Sequence, residues 1–71
     1  MRSNIPAIGD TVEIFDNEGK LNSYYKSDIG IPSEVLSVFL NKNGYLMAVL
    51  EQPDGNCACI MAHYIRSVPI K

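Results

Sequence analysis

A chain of 71 residues has room for one folded domain, and a domain that small is marginally stable without help from metals, disulfides or partners. With 46% hydrophobic and 20% charged residues it has enough apolar side chain to offset the entropy of ordering, which excludes a disordered chain. Lys and Arg number 6 against 8 Asp and Glu, for a formal charge of −2, and the basic residues are scattered singly. That distribution argues against non-specific binding to nucleic acid or to an anionic membrane.

In chain order, MRSNIPAIGD comes first and lacks the apolar core of a secretory leader. GDTVEIFD then opens on a turn signal and alternates. Val12 and Ile14 point one way and Thr11 and Glu13 the other, the pattern of a half-buried strand. The acids gathered here, Asp10, Glu13, Asp16 and Glu18, read as a solvated face. Residues 17–32, NEGKLNSYYKSDIGIP, are polar and punctuated by Gly19, Gly30 and Pro32. They predict a long loop with a short irregular strand around Leu21 to Tyr25, and loops of this length in compact domains are often functional.

Ser33 to Leu40 is open to two readings. Ser33 could cap a helix that places Val35, Leu36, Phe39 and Leu40 on one face. The β-branched and aromatic content, and the tight turn signal Asn43-Gly44 that follows, favour a strand. Pro53-Asp54-Gly55 is a second turn signal, with proline preset for the first central position and glycine free to turn left-handed. The runs around these turns, SEVLSVFL, YLMAVL and NCACIM, then form three antiparallel strands joined by two hairpins. AHYI is a short compact turn. RSVPI is a last extended piece, placed at an edge or at the chain end by Pro69, which has no backbone donor.

This order of elements resembles the SH3-like small barrels over nearly the whole chain. The resemblance implies an all-β fold, a small barrel of about five antiparallel strands, with residues 1–71 as a single domain. GDTVEIFD matches its first strand, residues 17–32 its long first loop, and AHYI the short 3₁₀ turn before its last strand. Unrelated families share this layout, so it speaks to shape more than to activity. SH3 domains proper bind proline-rich ligands through a groove that includes tryptophan; this chain has none, and Tyr24-Tyr25 is not their ALYDY signature. Tudor-type barrels hold methylated side chains in an aromatic cage. Phe15, Tyr24, Tyr25, Phe39, Tyr45 and Tyr64 supply rings, but their spacing specifies no cage. GDTV followed by GYLMAV is similar to the plasmid-borne dihydrofolate reductases, whose pore strand carries Val-Gln-Ile-Tyr-Pro. Here the matching strand reads CACIM, and that activity is not carried over.

Cys57, Cys59 and His63 are residue types that bind zinc, form disulfides or attack substrates. On a strand both cysteines leave the same face, whereas structural zinc favours Cys-x₂₋₄-Cys wrapped around the ion and needs four ligands. His63 lies beyond a bend, and a fourth ligand would have to come from Asp54 or Glu51. A bridge between Cys57 and Cys59 meets the upper Cα–Cα limit of an unstrained disulfide. A catalytic thiol needs a positioned base, and Cys59 and His63 would meet on a helix but not on this strand. No enzyme activity, cofactor or metal is therefore expected. The cysteines read as compact packing residues, His63 as a partly exposed turn residue, and two cysteines without a disulfide framework fit a cytoplasmic setting. The longest apolar runs, Tyr45 to Leu50 and Cys57 to Ala62, are too short to span a bilayer.

YLMAVL is apolar on both faces, with Tyr45, Met47 and Val49 on one and Leu46, Ala48 and Leu50 on the other. A solvated sheet should alternate apolar and polar, so the outer face calls for a cover. The arm SNIPAI, the long loop, a partner or a second copy could supply it. The expected function is a non-catalytic protein-interaction module that binds a protein partner and self-associates as a homo-oligomer. Its contacts would be Tyr45, Met47 and Val49, with Tyr24 and Tyr25 on the long loop. Compact domains of this sort resemble accessory proteins of bacteriophages and mobile elements. The alternatives are a nucleic-acid module using Lys20, Lys26 and Lys42, and a metal site at Cys57, Cys59 and His63.

Overall fold

The alternation in TVEI becomes strand β1, Thr11–Ile14, with Val12 and Ile14 buried and Thr11 exposed. The protein is described by a computed structural model over residues 5–68. Pro69, on which the placement of the last extended piece rests, lies outside the described residues. The stretch open to two readings is a strand, β2, Ser33–Leu40. β3 (Leu46–Glu51) and β4 (Cys57–Met61) follow, and β5 (Ile65–Ser67) closes the order after a 3₁₀ turn at Ala62–Tyr64.

Both hairpin turns form where the local chemistry asks for them. Between β2 and β3 the Asn41 side-chain oxygen accepts from the Asn43 and Tyr45 amides, each at 2.9 Å. Gly44 takes a φ of 86° there, a region that L side chains enter only at a cost. Between β3 and β4 the Gln52 amide donates to Asn56 and the Gly55 amide back to Gln52. This pairing settles 33–40 as strand, because a helix would leave the β3 edge without its partner. A bulge at Leu36 lies between the Val35–Leu50 and Ser37–Val49 pairs, so that Val35 and Val38 both oppose core residues of β3.

All pairings are antiparallel and the sheet order is β4-β3-β2-β1-β5. β4 and β5 lie at opposite edges, yet only the three residues Ala62–Tyr64 separate them in the chain. The sheet must therefore curl until its edges approach. No ladder joins β4 to β5 among the described residues, so the curl stays open rather than closing into a complete barrel. The expected all-β plan is present, with five antiparallel strands, a long first connection and a 3₁₀ turn before the last strand.

Inside the curl lie Val12, Ile14, Leu21, Val35, Ala48, Leu50, Ile60, Tyr64 and Ile65. Burying each of these Val, Leu and Ile side chains contributes roughly 1.5–3 kcal/mol. The two hydroxyls that enter this region are satisfied: Tyr64 donates to the Lys20 carbonyl at 3.1 Å and Ser33 to the Ile31 carbonyl at 3.1 Å.

The long connection contains no strand near Leu21 to Tyr25, where a short irregular one was expected. It forms two 3₁₀ turns instead, at Asn17–Gly19 and Ser23–Asp28. Asp16 accepts from the Leu21 amide at 2.9 Å and Asn22 accepts from the Tyr24 amide at 2.8 Å. Such local side-chain bonds compete with a ladder for the same backbone donors, and here they win. The connection returns beside β1, where Gly30 donates to the Ile14 carbonyl at 3.1 Å.

Candidate functional site

The strand register sorts the apolar residues of the β2–β3–β4 meander onto two faces. Val35, Val38, Ala48, Leu50 and Ile60 belong to the core face. On the other face Met47 lies between Phe39 and Met61, Val49 between Ser37 and Cys59, and Glu51 between Glu34 and Cys57. Phe39 is 41% exposed and Leu36, on the bulge, 38%, so the outer face is not covered by the described chain. Met47 and Val49 are half-buried among these neighbours. The expected contact residues Met47 and Val49 are thus brought together with Phe39 and Cys59.

Tyr24 and Tyr25 do not join that group as a free aromatic pair. Their rings meet edge to face at 5.1 Å between centroids, but they divide the work. Tyr25 packs against the core and donates its hydroxyl to the Cys59 carbonyl at 2.8 Å, which ties the long connection to the outer edge of β4. Tyr24 is 78% exposed. Burial raises the ionisation of Tyr25 above its ordinary value of 10.0, and the negative charges that Cys59, Tyr24 and Asp28 carry when ionised push the same way.

Tyr45 serves a feature that the sequence pattern did not reveal. A groove of about 700 Å³ runs from Tyr45 and Leu46, at the start of β3, to the Ala62–Tyr64 turn and β5. Phe15, His63 and Arg66 line it, Ile5 and Pro6 of the N-terminal arm border it, and it reaches the buried residues Val12 and Ile65. It lies against the start of β3, the Ala62–Tyr64 turn and β5, with no residue of β4 in its lining. The arm, one of the covers expected for the outer sheet face, contributes to the groove instead.

The groove is held by contacts between distant parts of the chain. Asn17 donates its side-chain amide to the His63 carbonyl at 2.7 Å, and the Phe15 amide donates to the Tyr64 carbonyl at 2.8 Å. Arg66 donates to Glu13 at 2.7 Å while its guanidinium lies 4.8 Å from the Phe15 ring centroid. Both contacts fix the guanidinium along the wall. His63 stacks at 4.2 Å on Tyr64 with a tilt of 44°. The one sequence signal for this site was the aromatic residue just beyond β1 and the His-Tyr pair in the turn; their convergence depends on the curl.

Cys57 and Cys59 are free thiols, and both are exposed on the outer face of edge strand β4. The expectation that they pack as small hydrophobes is corrected here, because that face has no cover. His63 lies in the groove, and among the described residues no three His, Cys, Asp or Glu side chains gather as metal ligands. Of the candidate phosphate contacts, Lys20 faces Glu18 at 3.6 Å and Lys26 faces Asp16 at 3.7 Å, while Lys42 stands apart in the β2–β3 turn. No helix among the described residues is long and apolar enough to cross a membrane. Compared with models of protein families, with curated proteins and with solved structures, the chain matches none.

Proposed function

We propose that this chain is a non-catalytic protein-interaction module of SH3-like layout that seats an extended apolar stretch of a partner polypeptide in the groove beside Tyr45. The observation that carries this reading is the groove itself. Its volume of about 700 Å³ is that of a ligand pocket. Its lining offers the rings of Phe15, Tyr45 and His63 beside Leu46 and Ala62. The charged members are already engaged, Arg66 by Glu13 and Asp10 by the Ala7 amide at 2.9 Å. Asn17 is bonded to the His63 carbonyl and Phe15 carries Arg66 on its ring. What remains for a ligand, beside Ser67, is the exposed Tyr45 ring and the apolar contacts of Leu46 and Ala62. That suits an extended apolar segment better than a phosphate or a sugar. Two exposed free thiols suit a reducing compartment such as the cytoplasm.

The nucleic-acid reading draws less support, since Lys20 and Lys26 already face carboxylates. The test is affinity selection of random twelve-residue peptides displayed on ribosomes, run against the native chain and three variants. Selected peptides should share an apolar core. Tyr45→Ala should weaken their binding about tenfold, the scale of a buried aromatic contact, while Tyr24→Ala leaves it unchanged. A selection that enriches nothing, or whose peptides bind Tyr45→Ala and Phe15→Ala as well as the native chain, would overturn the assignment.

A further inference from the structure

The outer face of the meander is acidic at one end and apolar in the middle, and its other end adjoins the turn that carries Lys42. Glu34 and Glu51 are direct cross-strand partners at one end, and Asp54 follows in the turn beyond them. At the other end β2 runs into the turn that carries Lys42. Between the poles lie Phe39, Met47, Val49 and Cys59, in register across three strands. Glu34, Glu51 and Lys42 are all exposed, and none makes an ion pair among the described residues. Two carboxylates placed directly opposite each other on a sheet destabilise it. This arrangement spends stability within one copy and leaves a cation unused at the far end.

We infer that this face docks on the same face of a second copy, about a two-fold axis near Met47, with the acidic end of each meander over the basic end of the other. A two-fold contact places each patch against itself reversed, and this patch is self-complementary only when reversed. Met47 lies about midway between Glu51 and the turn that carries Lys42, so reversal about it sets each pole against its opposite while the apolar middles stack. Packed sheets lie about 10 Å apart with their strands nearly aligned, a spacing that Phe39 and Met47 fill. The area is modest. Three strands about 4.8 Å apart and some 17 Å long present a few hundred Å², below the roughly 800 Å² per partner of a standard interface. The dimer is therefore expected to be weak and reversible. It uses a different surface from the groove and stands or falls separately.

The test is sedimentation velocity on the full chain from about 1 to 500 µM at low salt, with peptide binding in the groove measured alongside. A monomer–dimer equilibrium should appear. Lys42→Glu and Glu51→Lys should each weaken it about fivefold or more, since each sets like charges against each other across the axis. The double variant Lys42→Glu with Glu51→Lys should return to within about twofold of the native chain, because the pairs re-form with signs exchanged. Val49→Lys should abolish the dimer. These positions are exposed or face outward, and circular dichroism of each variant should match the native spectrum. A chain that stays monomeric throughout overturns the inference. So does a dimer indifferent to Val49→Lys, or a double variant no better than the singles.

Discussion

Tyr25 shows how much one side chain can settle in a chain this small. Its ring packs on the core while its hydroxyl closes on the Cys59 carbonyl at the open edge of β4. Unprotected edges invite pairing with other chains, and a loop laid against the edge is one of the standard defences. Tyr25→Phe keeps the ring and removes the bond. Because water can reach this edge, the cost should fall at the low end of a hydrogen bond's worth, about 0.5 kcal/mol in urea unfolding. The same residue sets an alkaline limit. Its folded-state ionisation lies above 10.0, so the folded form holds this proton more tightly than the unfolded one. The resulting stability is fully present below pH 10.0 and is lost as the pH rises through the higher folded value. Urea midpoints between pH 9 and 11 should therefore fall less steeply in Tyr25→Phe than in the native chain. Equal slopes would mean that the phenol titrates normally.

At the scale of elements, what could be read from the sequence was whatever the chain decides locally. The alternation of Val12 and Ile14, the turn at Asn43-Gly44 and the turn at Pro53-Asp54-Gly55 each carry their own instructions, and each element formed. The faces of β3 were legible for the same reason, since alternation assigns Ala48 and Leu50 against Met47 and Val49 without knowledge of the rest. Which face is inside follows from the fold, and it makes a sharp comparison. Leu50→Ala opens a cavity in the core and should cost about 2–5 kcal/mol. Val49→Ala, its neighbour on the outer face, should cost under about 1 kcal/mol in a dilute monomeric sample. Urea unfolding of the two variants measures the difference, and similar losses would contradict the assignment of faces. What local pattern could not reach was cover. Cys57 and Cys59 look like packing residues in NCACIM, yet they are exposed, because nothing in their own strand says whether another element will lie over them. The connection at 17–32 departs from the expected strand for a related reason: Asp16 and Asn22 supply hydrogen bonds that replace the ladder of a strand.

At the scale of the whole molecule, the groove and the stability of the fold are one problem. The sheet curls because the Ala62–Tyr64 turn brings its two edges together, and the groove lies against that turn and β5. β5 is three residues long and is flanked in the sheet by β1 alone, whereas β3 has a strand on each side. β5 and the turn before it should therefore open without global unfolding, as weakly supported segments do. The Asn17 amide bonded to the His63 carbonyl crosses from the long connection to that turn and opposes the opening. Asn17→Ala removes it at a cost of about 1 kcal/mol, which corresponds to roughly a fivefold change in an opening equilibrium. Hydrogen exchange should then quicken about fivefold at the backbone amides of the Ala62–Tyr64 turn and β5. The most protected amides of β3, which exchange only when the whole domain unfolds, should slow or quicken no more than the global stability does. If opening is local, the two sets separate in their response to low urea, β5 scarcely changing and β3 following the unfolding curve. Equal acceleration and equal urea dependence would mean that the groove wall and the core open as one unit, and that a ligand seated beside Tyr45 must bind a rigid site.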